Sequence, residues 1–599
     1  MQGQNSQTIC DLLEKSRQQQ MQGPLLCASV HVNIGILGTL GERNRTRSSG
    51  SPHILCTLSY YPSLLQLGLD TYQTQSSTST GDPGRPSDLG AGPSGLGVRE
   101  VHHLGGDNLC LPSPEPPPGA VGTGQTGQRE YIKPDPLEQE PTEYNPGAII
   151  QIPNLQTTQG FVNVLRVASL EKSGMQPEDI TSLRDLAPVL DLEDPSPLLR
   201  SLRHFINNSG SSWAHYNGIQ EIKLLNNPSD AFMSFDQVKW CLLWLSSIVP
   251  LEHDMCPNTC VAYTGPYKEL DTCPHCPLSR YFPNTNMPWK RFTTLPIGPV
   301  IQAFYRSRKL AEHMHYLERA LTANADHAQR AGGSLDKYDD ISCGNDILSA
   351  WTSGALRKSD VALQLSIDSA QLRADQPSEA WVFIWIFHNL PPNLRYKKCF
   401  IIPGAIIPGP NKPGDIDSFL FPSLYHVASL QHKRLWIYDA LVDSYIPHSK
   451  PLIVFATADS LGSAAMSGMV GHSEKYGCHL YCNMPSWHHT GNGHYYPAML
   501  TPHNYTVLGC DHSDVLDNNL AAYRNHLNQK YQQNLDHLLT ANTQTEFRIW
   551  HLEVGLCKQT LFSSLPYQPL PVLNIFTMDI MHLTVLNDPD VAVMPPRYD

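Results

Sequence analysis

The 599-residue chain has no apolar run long enough to cross a membrane. The stretch Pro24 to Leu40 is too short and is broken by His31 and Asn33. No basic segment feeds it in the manner of a secretion signal. Charge is scarce as well. Charged residues make up 16% and the formal net charge is −13, a poor match to a nucleic-acid enzyme, which normally carries a basic face. Two local clusters partly offset this: Arg280, Lys290, Arg291, Arg306, Arg308 and Lys309, and then Arg395, Lys397 and Lys398. Charge runs of this kind are usually solvated surface. No dense Lys/Arg tract marks nuclear import, and no internal repeat is visible.

What the chain has is length and clustered cysteine. A chain of 599 residues can hold roughly two to four domains with a sizeable core. Its 15 cysteines fall at metal-type spacings instead of spreading as a disulfide framework, which points to a reducing, intracellular compartment. Residues 1–145 read as a disordered leader, because Ser76 to Gln128 is dominated by Ser, Thr, Gly and Pro and cannot assemble a core. A helical region is expected over 176–250. Within it Phe235, Val238, Cys241, Leu242 and Leu245 stripe a helix from Ser234 to about Ser247.

The most informative block runs from Val361 to Asp459. Val361 to Asp368 alternates toward a carboxylate. Two apolar runs follow, Trp381 to Phe387 and Cys399 to Ile407, the first of which also suits a buried helical turn. A segment with helical potential, Asp417 to Leu430, places Phe419, Leu420, Leu424, Val427, Ala428 and Leu430 at apolar positions. Pro451 to Asp459 reads as a fourth strand that closes on a second aspartate. Three strands, a helix and a fourth strand, with acids closing strands one and four, is the layout of an α/β, RNase H-like mixed-sheet core, expected here over 355–470. In that layout strands one and four are neighbours, and their two carboxylates can hold divalent cations for phosphoryl transfer. Each aspartate taken singly also suits a turn or a helix cap.

Cys256-Pro-Asn-Thr-Cys260 and Cys273-Pro-His-Cys276 are two knuckles within one short segment. Four thiolates so spaced suit the closed tetrahedral site of a structural zinc, so a zinc-ribbon-like module is expected over 251–290. A Cys/His-rich insertion at 471–515 offers Cys478, Cys482, Cys510 and His512 as a Cys3His set, with His488, His489, His494 and His503 as competitors. In the helical 516–599 part, Asp579 and His582 lie one turn apart if the segment is helical. Asp579 suits a third metal-binding acid, and equally an N-cap.

Together these strings resemble the transposases of CACTA (En/Spm-type) DNA transposons, especially fungal forms. The likeness rests on Asp254 to Tyr267 with Cys273 to Cys276, Ser366-Ile-Asp368, Leu390-Pro-Pro392, Ile407 to Pro413, Ala456-Thr-Ala-Asp459, Val470-Gly-His472, Gly477 to Cys482, His494-Tyr-Tyr-Pro497 and Asp579 to Leu583, in the family's order. The resemblance implies a DDE/D-type transposase or nuclease that uses Mg²⁺ (or Mn²⁺) with Asp368, Asp459 and Asp579 as ligands, beside structural Zn²⁺. It implies transposon-end DNA as partner, self-association, a nuclear location, no small-molecule cofactor and no membrane. Departures stand beside it. Thr584 occupies the position of a glutamate in plant relatives, and Lys558-Gln-Thr560 replaces a Lys-Pro-Ser string. The chain also ends soon after the closing motif. A truncated element copy is therefore expected, and with it the alternative of an inactive remnant acting at most as a zinc-stabilised DNA- or protein-binding module.

Overall fold

The computed structural model describes residues 150–184, 197–208, 213–228, 232–371 and 379–577, apart from short stretches between 479 and 526. The leader expected at 1–145, His489, His512, Asp579, His582 and Thr584 lie outside the described residues. No described helix is long and apolar enough to cross a membrane.

The described chain is mixed α/β. Strands β1 (Leu251–Met255) and β2 (Lys290–Thr294) flank the first cysteine segment. Then come β3 (Val361–Gln371), β4 (Glu379–Phe387) and β5 (Ile402–Pro408). A hairpin, β6 (Leu435–Asp439) and β7 (Ser444–Ser449), precedes β8 (Pro451–Thr457). Six of them form one sheet in the order β1-β2-β5-β4-β3-β8. The β3–β4 and β4–β5 pairs are antiparallel and β3–β8 is parallel. Val361 to Leu365 is buried at every position, as a strand covered on both faces must be.

The helices that matter for the site are α1 (Pro153–Arg166), α2 (Phe235–Ser246), α3 (Ile297–Arg306), α4 (Ile416–Lys433) and α5 (Ser460–Ser467). α2 starts where Ser234 and Gln237 form a reciprocal capping box. α4 connects β5 to the β6–β7 hairpin and buries Phe419, Leu420, Leu424, Val427, Ala428 and Leu430, the larger side chains each contributing about 1.5–3 kcal/mol where fully buried. Phe419 meets Phe292 of β2 edge-on at 5.2 Å, and Phe421 meets Phe161 of α1 at 5.3 Å. One core thus joins α1, α3, α4 and both ends of the sheet.

Four features differ from the sequence expectations. β3 does not stop at Asp368 but runs on to Gln371, because β4 keeps pairing through Gln371↔Glu379. β8 stops at Thr457, because Asp459 already caps α5. The β6–β7 hairpin intervenes between helix and fourth strand, where Pro447 and a positive φ at His448 disguise β7. Finally, β1 and β2 extend the central sheet, through Thr293↔Ile406 and Thr294↔Ala405.

Candidate functional sites

Two sites emerge, an acidic strand edge and a cysteine cluster. In the parallel ladder Ser366 of β3 pairs with Thr457 of β8. Asp368 stands two residues further along β3, and Asp459 two residues further along the chain, just past the end of β8, so both acids lie at the same end of two adjacent strands. Asp368 is exposed, and its Oδ1 accepts the Ser369 amide at 2.7 Å. Asp459 is half-buried. Its Oδ1 accepts the Gly462 amide at 2.6 Å, the N-cap bond of α5. A Cβ at position 462 would stand 2.9 Å from that same oxygen, so the close approach depends on glycine. Asp459 is thus the cap of α5, and a carboxylate retains acceptor capacity beyond one such bond. On the far side of β8, Phe576 forms a parallel bridge to Ala456, and the Thr577 amide donates to the Ala456 carbonyl. Phe576 stands three residues before Asp579, as Ala456 stands three before Asp459.

The first cysteine set is brought together. Cys256, Cys260, Cys273 and Cys276 offer ligand atoms within 4.8 Å of one another and can hold a metal ion such as zinc. The knuckles form as tight turns: Thr259 N donates to Cys256 O at 2.8 Å, and Cys273 N to Leu278 O at 2.9 Å. Burial first, and the neighbouring thiols after it, hold Cys260 and Cys273 above the ordinary thiol range, Cys273 at about 11. Four sulfurs packed this closely cannot all ionise without a cation among them. The cluster is anchored to the sheet's main helix. The Gly414 and Asp415 amides donate to Thr259 O and Cys260 O at 3.1 and 2.7 Å. At Gly414 a Cβ would stand 2.8 Å from Cys260 O, so only glycine fits the contact.

The second set is not assembled in the same way. Cys478 and Cys482 adjoin, and the Cys478 thiol followed by burial pushes Cys482 up. The Cys510 sulfur accepts the His488 amide at 3.0 Å and lies 3.6 Å from Ser486 O. Among the described residues, Cys478, Cys482 and Cys510 do not form a three-ligand group like the first.

The basic clusters are partly consumed internally. Arg280 pairs with Asp254 at 2.8 Å, and Arg291 with Asp254 and Glu252 at 3.1 and 3.2 Å. Lys290 donates to Thr259 Oγ1 and Gly409 O, both at 2.9 Å. Arg395 is fully buried in a two-pronged bond to Asp340, 2.8 Å on each arm. Arg308, Lys309, Lys397 and Lys398 remain exposed. Lys558, from the string that departs from the family pattern, reaches buried Asp417 at 2.5 Å.

Sequence reasoning missed Gly462, whose signal is the Asp459-Ser-Leu-Gly462 spacing of an N-cap. It also missed the buried polar groups beneath the acids, which carry no local pattern.

Residues 360–496 match the family model described as Transposase family tnp2. The matched stretch holds Asp368, Asp459, Cys478 and Cys482, while the four-cysteine cluster and Asp579 lie outside it. The match supports a transposase family for this chain. No curated protein matches it.

Proposed function

We propose that the chain is a transposase-derived protein that cuts and joins DNA phosphodiesters at the ends of a CACTA-type element, in the nucleus and as a self-associating assembly. The observation that carries this is the register of β3 and β8, which brings Asp368 and Asp459 to the same end of adjacent strands inside the family-matched stretch. The antiparallel series β5-β4-β3, followed by parallel β8 reached through α4, supports an RNase H-like core. The cysteine knuckles support a zinc-ribbon-like, architectural role for the first metal site.

The acidic edge fits Mg²⁺ or Mn²⁺ in its donor chemistry, since carboxylate oxygens suit hard cations. Asp368 and Asp459 would hold the ions, with Asp579 as the third acid. Such ions, when bound, stabilise the attacking and leaving oxygens of an in-line displacement. The protein's own part is positional. The two strands bring the carboxylates to the same end, and the Gly462 amide fixes one oxygen of Asp459. Asp368 stands exposed on an open edge. A groove of about 1000 Å³ beside Phe282 and Trp289 is lined by neither acid. An open edge favours a polymer over a small phosphoester as substrate.

A second reading, a remnant that binds but does not cut, draws support from the internal pairing of Arg280, Arg291 and Arg395. One assay separates the two. Purified full-length protein is given Mg²⁺ or Mn²⁺ and DNA carrying the parent element's ends, beside Asp368→Asn. Metal-dependent cuts at the element boundary that vanish in the variant are the expected result. Folded, zinc-loaded protein that leaves the DNA intact supports the remnant, and cleavage surviving Asp368→Asn removes the proposed site.

A further inference from the structure

The relative placement of Asp368 and Asp459 is set by an irregularity lower in the same ladder. From Val361↔Pro451 to Leu363↔Ile453 the strands run in step. Gln364 then pairs with Phe455, so Val454 is left without a Cα partner on β3, and the shifted register continues through Ser366↔Thr457. Had the lower register continued, Ala458 would stand level with Asp368. Asp459 would lie one residue beyond that level. Bulges re-aim side chains beside functional sites.

A bulge is useful only if it is held in place, and a directed chain of buried hydrogen bonds ends on it. Arg395 can only donate, so its Nη1–H donates a hydrogen bond to His388 Nδ1, 2.9 Å away. The ring, kept neutral by burial and by the Arg395 charge, must then donate from Nε2 to Gln364 Oε1, at 3.0 Å. That orients the amide, whose Nε2 donates to Thr457 Oγ1 at 3.0 Å. At its root the chain is fixed by Asp340, which accepts both Arg395 arms and the Tyr316 hydroxyl. Gln364, His388, Arg395 and Asp340 are all buried. Gln364 is the first residue past the bulge, and Thr457 lies two residues before Asp459.

We infer that Gln364 and Thr457 are positioning residues: their side-chain bond locks the bulged register and so sets Asp459 against Asp368 for a shared divalent cation. This rests on the reading of the two acids as metal ligands.

The test is Mn²⁺ binding to full-length, zinc-loaded protein, read as loss of the free-ion EPR signal, for wild type, Thr457→Val, Thr457→Ser and Asp459→Asn. Near-UV circular dichroism serves as the check on folding. Thr457→Val keeps the β-branched shape and removes the acceptor. It is expected to weaken Mn²⁺ binding by about tenfold, the scale of lost support behind a ligand, while Thr457→Ser restores it. In the cleavage assay Thr457→Val should raise the Mg²⁺ needed for half-maximal rate and leave KM for DNA unchanged. Wild-type Mn²⁺ affinity in Thr457→Val, with Asp459→Asn impaired, overturns the positioning role alone. Wild-type affinity in Asp459→Asn as well overturns the metal-site reading together with it.

Discussion

The hydroxyl of Thr264 donates to the main-chain carbonyl of Ser418 at 2.5 Å, and that carbonyl is the one Pro422 leaves without its partner in α4. Proline has no N–H to give to the residue four positions back. The vacancy is filled from the segment that carries the cysteine knuckles. Next to it the Ala262 amide donates to Ser418 Oγ at 2.9 Å. A residue that normally breaks helices thus serves as the docking point of the cysteine segment on the sheet's principal helix.

Thr264→Val should therefore cost about 1–3 kcal/mol, the penalty of leaving a buried acceptor unpaired. In a Pro422→Ala background the restored amide at 422 can serve the Ser418 carbonyl, so the same change should cost less. Urea unfolding of the four proteins in this cycle measures the coupling. Equal costs in both backgrounds would show that the carbonyl does not need the threonine.

Metal at the cysteine cluster should be structural. Cys256→Ser is expected to lose about one equivalent of zinc per chain and to lower the melting temperature, since Cys260 O and Thr259 O hold the entry to α4. Cys343→Ser, a buried thiol outside the cluster, should retain its zinc. Metal analysis beside thermal unfolding checks both, and unchanged zinc in Cys256→Ser would remove the assignment.

Asp360, where β3 begins, gives a pH signature. Burial raises its carboxyl from 3.8 to about 6, against the Arg357 and Lys450 amides that favour the charged form. The folded protein therefore holds this proton more tightly than the unfolded chain. Its contribution to stability is full below about pH 4 and is lost as pH rises through about 6. Asp360→Asn should remove that loss, on the order of 3 kcal/mol between the two limits. Urea midpoints at several pH values, compared between variant and wild type, test this. Parallel curves would contradict it.

The parts of this structure legible in the sequence are those where one segment carries its own signal. The apolar runs of β3, β4, α4 and β8 are visible because each is mostly buried, and the cysteine knuckles because their spacing is itself the chemistry. Arg395 misled as a member of a basic cluster because its partner, Asp340, lies 55 residues away. The same holds for Arg280 and Arg291, whose acids sit on β1. The unpaired Val454 is illegible for a related reason: an extra residue in one strand exists only relative to the strand beside it.

The parallel pairing of β3 with β8 also has a consequence for how the chain is made. β3 is synthesised before β4, β5, α4 and the β6–β7 hairpin, and the edge that receives β8 stays open until all of them exist. Such non-local pairings close late and slowly. An open apolar edge is meanwhile exposed to pairing with another chain. A nascent chain that ends before Pro451 holds Asp368 without Asp459. The strand that completes this side of the sheet is therefore also the one that leads to the second acid.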